Sequence, residues 1–373
     1  MKINNKNITL LSIIACGLLI LVLITSNQYG NSAYKAIDSL LIQGVDTSQI
    51  HKIKISTNKK ILTIQKKDNK FVINEKYNYP VDMRKINKFL INILELRAHK
   101  LITTDANNYK DFNLTDKLAT KISIFTNKAN TSILIGKTAK HGNGVYVKLK
   151  NKKEVFLTKK NLSIKNDAID YLNDNLINIT TQEIQQIQII NNPSITIKNI
   201  NKQLQLVNIP KNHIANKQAI NDFCNALTNI NFKDIIPIQD LSSHKLNFKI
   251  SVKTNDYLTF EITFYTINKQ QYCTLKYIGP SKKEIAEVEA NSSKIIQQAR
   301  NAGKITDKNQ LEKNNKIATA ITTVKTLNNQ HSKWLYLLPK WKFNSLNKGS
   351  KDLMKIVEVK QNKIDNTNIE LKD

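Results

Sequence analysis

Six histidines, three cysteines and 29 carboxylates are the groups in this chain that could bind a metal, attack a substrate or move a proton. His51, His99, His141, His213, His244 and His331 stand far apart. No HxH or HxxxH spacing brings two imidazoles to one ion. His141 alone has suggestive company, in His141-Gly142-Asn143-Gly144. A strand pattern follows that run where a phosphate loop needs a helix, so it reads as a hairpin turn. The chain has no Gly-x-Ser-x-Gly elbow, no Ser-x-x-Lys with its partner motifs and no Cys–His pair of local signature. Asp82, Asp111 and Asp116 fall where helix caps and turns are expected. No catalytic, cofactor-binding or metal-ligating residue is assigned, no cofactor is expected, and the chain is read as not an enzyme. A hydrolase whose site follows none of these patterns stays open as an alternative.

Cys224 and Cys273 read as small apolar core residues, and in an oxidising compartment they could instead be bridged. Trp334 and Trp341 flank Pro339. They are read as core or membrane-proximal anchors, with a sugar-stacking platform as the other option.

The compartment follows from the N-terminus. Ile8 to Thr25 is almost wholly apolar and uncharged, and at 1.5 Å per residue such a segment just spans a hydrocarbon core of about 30 Å. Lys2 and Lys6 precede it, and only Lys35 and Asp38 follow closely. The positive-inside rule therefore expects a single-pass inner-membrane protein with its N-terminus in the cytoplasm and its bulk in the periplasm. Membrane lipid, contacted through Ile8 to Thr25, is thus an expected partner. A cleaved signal peptide is the competing reading, but no small-x-small site follows the apolar run. Ile13-Ile14-Ala15-Cys16-Gly17 resembles a lipobox, although Gly17 to Thr25 stays apolar where a lipoprotein turns polar; lipidation of Cys16 is left open.

The net charge of +28 and pI near 9.8 invite a nucleic-acid reading. Only Arg84, Arg97 and Arg300 are arginines, the residue favoured for bidentate phosphate and base contacts. The lysines alternate with isoleucine along strands, as in His51-Lys52-Ile53-Lys54-Ile55. No nucleic acid is expected as a partner, and no small-molecule substrate is identified. The basic surface suits anionic lipid or envelope polymer.

The elements show a repeat. Lys121-Ile122-Ser123-Ile124-Phe125-Thr126-Asn127 recurs as Lys249-Ile250-Ser251-Val252-Lys253-Thr254-Asn255. Ile86-Asn87-Lys88-Phe89 recurs as Ile220-Asn221-Asp222-Phe223, and Tyr146-Val147-Lys148-Leu149-Lys150 as Tyr272-Cys273-Thr274-Leu275-Lys276. The order is kept at a spacing of about 130 residues, which fits a duplicated domain and not a solenoid. Period-two alternation predicts strands at Lys52–Ser56, Ile61–Lys66, Phe71–Asn74, Thr120–Thr126, Ser132–Ile135, Val145–Leu149 and Val155–Leu157. A helix from Asp82 to Arg97 buries Ile86, Phe89, Leu90, Ile93 and Leu94 at helical spacing.

The second unit is expected to copy this order. Its strands are Ile184–Ile190, Ser194–Lys198, Leu204–Val207, Leu246–Lys253, Leu258–Tyr265 and Tyr272–Ile278, around a helix Asn216–Thr228 that buries Ile220, Phe223, Cys224 and Leu227. A returning strand is placed at Trp334–Leu338. The fold class is α+β: two similar units, each a mainly antiparallel sheet with one packed helix, after an N-terminal transmembrane helix. The expected divisions are residues 1–26 for cytoplasmic tip and anchor, and 27–48 for a linker partly helical around Ala33–Leu41. The first unit spans 49–176. The second spans 177–358, with a helical insertion at 281–328 broken at Gly303 and a final short helix at Lys351–Val357. A disordered tail covers 359–373.

A resemblance adds to this. After the anchor come a Phe-Val-Ile hairpin and Tyr79-Pro80-Val81-Asp82 opening the helix. Then follow Tyr109-Lys110-Asp111-Phe112-Asn113-Leu114, Ile133-Leu134-Ile135-Gly136, Gly144-Val145-Tyr146-Val147 and Val155-Phe156-Leu157. This order resembles the bacterial family called domain of unknown function 4340, over about Ile50 to Leu176, and more weakly over the second unit, where Trp334-Leu335-Tyr336-Leu337-Leu338-Pro339 resembles the closing strand. Asn113 departs from the family's usual glycine before leucine. The resemblance implies an envelope protein encoded near ABC-type exporters of the gliding-motility auxiliary kind. The function expected is therefore a non-enzymatic accessory or scaffold of such a transporter or of an envelope assembly, with an integral-membrane partner. The alternative to it is an envelope-polymer binder for peptidoglycan or polysaccharide.

Overall fold

The computed structural model describes residues 37–357 apart from 141–142, 192, 239–240, 243, 288–289 and 291–307. The chain divides into two compact units, Met1–Tyr171 and Leu172–Asp373. The segment Ile8–Thr25 and the tail after Val357 lie outside the described residues. Among the described residues no helix is long and apolar enough to cross a membrane.

Unit one holds strands β1 (Ser39–Leu40), β2 (Ile50–Ser56), β3 (Ile61–Lys67), β4 (Lys70–Ile73) and β5 (Tyr79–Pro80). Helix α1 (Met83–Leu94) follows, then β6 (Arg97–Thr103), β7 (Thr120–Thr126), β8 (Asn130–Thr138), β9 (Val145–Leu149) and β10 (Val155–Thr158). They form one antiparallel sheet in the order β1-β6-β10-β9-β8-β7-β2-β3-β4-β5. Isoleucines at alternate positions explain its central strands: Ile53 and Ile55 of β2 and Ile122 and Ile124 of β7 are buried, with half-buried Lys52 and Lys54 beside the first pair and a buried Ser123, bonded to the Ser132 hydroxyl, between the second. Asp82 caps α1, its carboxylate accepting from the Arg84 N–H at 2.9 Å. The helix buries Ile86, Phe89, Leu90 and Ile93. Phe89 meets the Tyr171 ring edge-on at 5.6 Å.

Unit two holds β11 (Asn175–Asn178), β12 (Ile184–Ile190), β13 (Ile195–Ile200), β14 (Gln203–Val207) and β15 (His213–Ala215) before helix α2 (Lys217–Thr228). There follow β16 (Asn229–Asn231), β17 (Asp234–Pro237), β18 (Lys245–Thr254), β19 (Thr259–Ile267) and β20 (Gln270–Ile278). After these come helix α3 (Lys308–His331), β21 (Trp334–Leu337), α4 (Lys340–Leu346), α5 (Ser350–Leu353) and β22 (Met354–Ile356). Eight strands form the sheet β14-β13-β12-β18-β19-β20-β21-β17; β11 with β16 and β15 with β22 form separate ribbons. Its core is aromatic. Phe248 stacks on Phe264 at 4.2 Å, Phe343 of α4 closes over both, and Phe223 of α2 is fully buried.

Read from β17 to β14, this sheet has the connectivity that unit one shows from β6 to β4. The central pairings agree in detail. Ile53 faces Ile124 and Ile187 faces Val252, with an irregularity at the same place in each ladder. Where 150–154 join β9 to β10, residues 279–333, with α3 among them, join β20 to β21.

Several expectations are corrected. The helix placed from Asp82 to Arg97 ends at Leu94, because Arg97 opens β6, a strand whose Ala, His and Lys content hid it. The stretch read as partly helical around Ala33–Leu41 contains β1 among its described residues. The final helix placed at Lys351–Val357 stops at Leu353, and Met354–Ile356 is a strand paired to β15. Helix α3 runs to His331, past the expected end of the insertion at residue 328.

Candidate functional site

The structure scatters the histidines. His51 lies on β2 and His99 on β6, both exposed; His213 on β15 and His244 before β18 are half-buried. His141 lies outside the described residues. Among the described residues no three His, Cys, Asp or Glu side chains converge to hold a metal ion. Asp82 is a helix cap, Asp111 lies in the 3-10 turn Ala106–Phe112 and Asp116 in the turn after it. Trp334 is half-buried on β21. Trp341 is 66% exposed on α4, with the Lys342 ammonium 4.9 Å from its ring, and so does not fill the core.

Cys224 and Cys273 are free and buried, so the bridge left open by the sequence is not made. Burial pushes the Cys224 thiol up to about 12 and that of Cys273 higher still. Neither is a thiolate nucleophile near neutral pH.

The motifs that carry the resemblance do come together, as packing. Leu114, Ala119, Leu134 and Val155 form a buried cluster on which Tyr109, Phe112 and Tyr146 pack. The rings of Phe112 and Tyr146 lie 4.6 Å apart. Gly136 lets β8 pass the Phe112 carbonyl, since a Cβ there would lie 2.0 Å from that oxygen. Asn113 has φ 57° and ends the 3-10 turn, its N–H donating to the carbonyls of Lys110 and Tyr109. The left-handed conformation explains why glycine suits this position and why asparagine can replace it.

Buried polar groups in unit two went unseen in the sequence because each is solitary there. Lys342, 7% exposed, donates from Nζ to the carbonyls of Ala226 at 3.0 Å and Asn229 at 2.7 Å, closing the C-terminal end of α2. Burial holds its ammonium below the usual lysine range. His331, 3% exposed, ends α3 with its Nδ1 against the Tyr336 hydroxyl.

A groove of about 680 Å³ lies between β14 and α2 in unit two. Residues 202–206 form one wall, and Lys217, Ile220, Asn221, Cys224 and Asn225 form the other. The helix residues follow i, i+3, i+4, i+7, i+8, which puts them on one face. Leu206, Ile220 and Cys224 are buried, and Lys202, Lys217, Asn221 and Asn225 are exposed. No carboxylate and no aromatic ring lines it. The helix spacing was legible in the sequence, but the open strand beside it was not.

These features define an α+β module built on packing motifs. Residues 72–248 match the family described as Domain of unknown function (DUF4340), the family that the sequence motifs resemble. No curated protein and no solved structure matches the chain.

Proposed function

We propose that this chain is a non-enzymatic, single-pass inner-membrane protein that presents two related α+β modules to the periplasm, as an accessory or scaffold of an ABC-type transporter or envelope assembly. The observation that carries the reading is what the family motifs do. Phe112, Leu114, Gly136 and Tyr146 pack a core, where an enzyme family's recurrent residues would line a polar cleft. The matching strand connectivity of the two sheets supports an internal duplication, and duplicated packing modules suit a scaffold. The apolar run Ile8–Thr25 supports the anchor.

Two measurements test it. A reporter active only outside the cytoplasm, fused after Asp373, is expected to be active and to fall silent when Ile8–Thr25 is deleted. Activity of a cytoplasm-only reporter overturns the topology. Purification from detergent is expected to bring along an integral-membrane partner. A hydrolytic activity that survives in the purified chain would instead support the enzyme alternative.

A further inference from the structure

Strand β14 is an open edge. It pairs with β13 along one side and has no strand on the other among the described residues. In unit one the strand at the same place in the connectivity, β4, is covered. Val72 pairs with Pro80 and Ile73 with Tyr79, and Tyr79 is 1% exposed. The segments 74–82 and 208–216, which lead from these edge strands to the helices, have the same length. In unit two, however, β15 pairs with β22, and among the described residues no strand pairs with the edge of β14 beside the groove.

We propose that the groove between β14 and α2 receives an extended, acidic segment of a partner polypeptide, added to β14 as one more strand. Three observations favour this occupant. An open edge offers a row of N–H and C=O groups that only another extended backbone satisfies in register. The exposed Lys202 and Lys217 stand in a lining that holds no carboxylate, so the groove is complementary to negative side chains. Unit one shows the geometry in cis, since its short β5 lies on the matching edge just ahead of the helix. A glycan is disfavoured because no aromatic ring is present to stack on a sugar face. The groove belongs to unit two alone, so the proposal goes beyond the envelope-accessory reading and does not depend on it.

The test uses the full chain in detergent and three labelled six-residue probes. One alternates glutamate and valine, the second alternates lysine and valine, and the third is the acidic peptide with N-methylated amides. The acidic peptide is expected to bind at least tenfold more tightly than the other two by fluorescence anisotropy. Its addition should slow hydrogen exchange of the outward amides of Gln203–Val207 at least tenfold. The double variant Lys202→Glu, Lys217→Glu, altered only at exposed positions, should weaken the acidic peptide at least tenfold and strengthen the lysine peptide. Equal binding of all three probes, unchanged binding by the double variant, or no binding at all overturns the proposal. It also fails if those amides are already protected in the peptide-free chain, because the edge would then be covered from within the chain or by a second copy. The exchange measurement on the native chain stands even if the double variant fails to fold.

Discussion

The side-chain amide of Asn328 makes both hydrogen bonds that a neighbouring strand would make to Tyr277. Its Oδ1 accepts from the Tyr277 N–H at 2.8 Å, and its Nδ2 donates to the Tyr277 carbonyl at 2.8 Å. Strand β21 pairs with β20 at Tyr272 and Cys273, so farther along one residue of α3 takes the place of a strand. Asn328→Ala is expected to leave two half-buried backbone groups unpaired and to cost about 1–3 kcal/mol. Asn328→Asp keeps an acceptor but loses the donor and should be intermediate. Urea unfolding with tyrosine and tryptophan fluorescence checks both; an Ala variant as stable as the parent would remove the strand-substitute role.

His331 gives a pH dependence. It is enclosed by Tyr277 and Tyr336, with Nδ1 2.8 Å from the Tyr336 hydroxyl, and burial lowers its pKa to about 4 from the ordinary 6.5. The unfolded chain therefore takes up this proton before the folded chain does. The contribution is fully present above pH 6.5 and is lost as the pH falls toward 4. At about 1.4 kcal/mol per pKa unit it amounts to roughly 3 kcal/mol. His331→Gln, which can still bond the hydroxyl, should flatten the stability profile between pH 6.5 and 4 relative to the parent. Parallel profiles for the two proteins would show that His331 does not titrate in this window.

Two glycines should be intolerant for a stated reason. A Cβ at Gly136 would meet the Phe112 carbonyl oxygen at 2.0 Å, and one at Gly144, where φ is +120°, would meet the Thr158 carbonyl oxygen at 2.0 Å. Both obstacles are backbone and cannot swing aside. Gly136→Ala and Gly144→Ala are each expected to cost about 3 kcal/mol or more. Gly44→Ala, with φ +71° but nothing within 4 Å, should cost only about 1–2 kcal/mol. Thermal unfolding that ranks Gly44 as the most sensitive of the three would contradict the close-approach argument.

The paired aromatic sites of the two helices form the last comparison. Phe89 is 7% exposed and Phe223 is fully buried. Phe89→Ala and Phe223→Ala should each destabilise by about 3–5 kcal/mol, with Phe223 toward the upper end because its surroundings are closed on every side. Hydrogen exchange along β2 and along β12 reads each unit separately. A loss under 1 kcal/mol at either site would mean that its helix is not part of the core.

Much of the fold was legible because isoleucine marks the buried face so regularly. Thr120–Thr126, Val145–Leu149 and Ile184–Ile190 lie at the bounds that alternation predicts. Asp82 and Asn216 announced the helix starts, and both are caps. What escaped was set by distant partners. Strand β17 is too short to show a period and is defined by its pairing with β21. Strand β15 takes β22 from far along the chain, and no local pattern announces that partner. His331 and Lys342 are single polar residues on helices, and no spacing rule reveals that a lone side chain is buried.

The position of β2 in unit one bears on how the chain is made. It lies in the middle of its sheet, with β3 on one flank and β7 on the other, and Ile53 finds Ile124 only after the helix and β6 have intervened. During synthesis, β2 and β3 emerge early as a hairpin with one apolar flank unmet. Pairing at such sequence separation closes slowly, on a scale of about milliseconds to seconds. A ribosome paused between α1 and β7 would therefore hold out a sticky strand edge. Unit one needs either brisk elongation through Thr126 or a chaperone at that flank, and substitutions that stall translation there should lower yield without altering the finished fold.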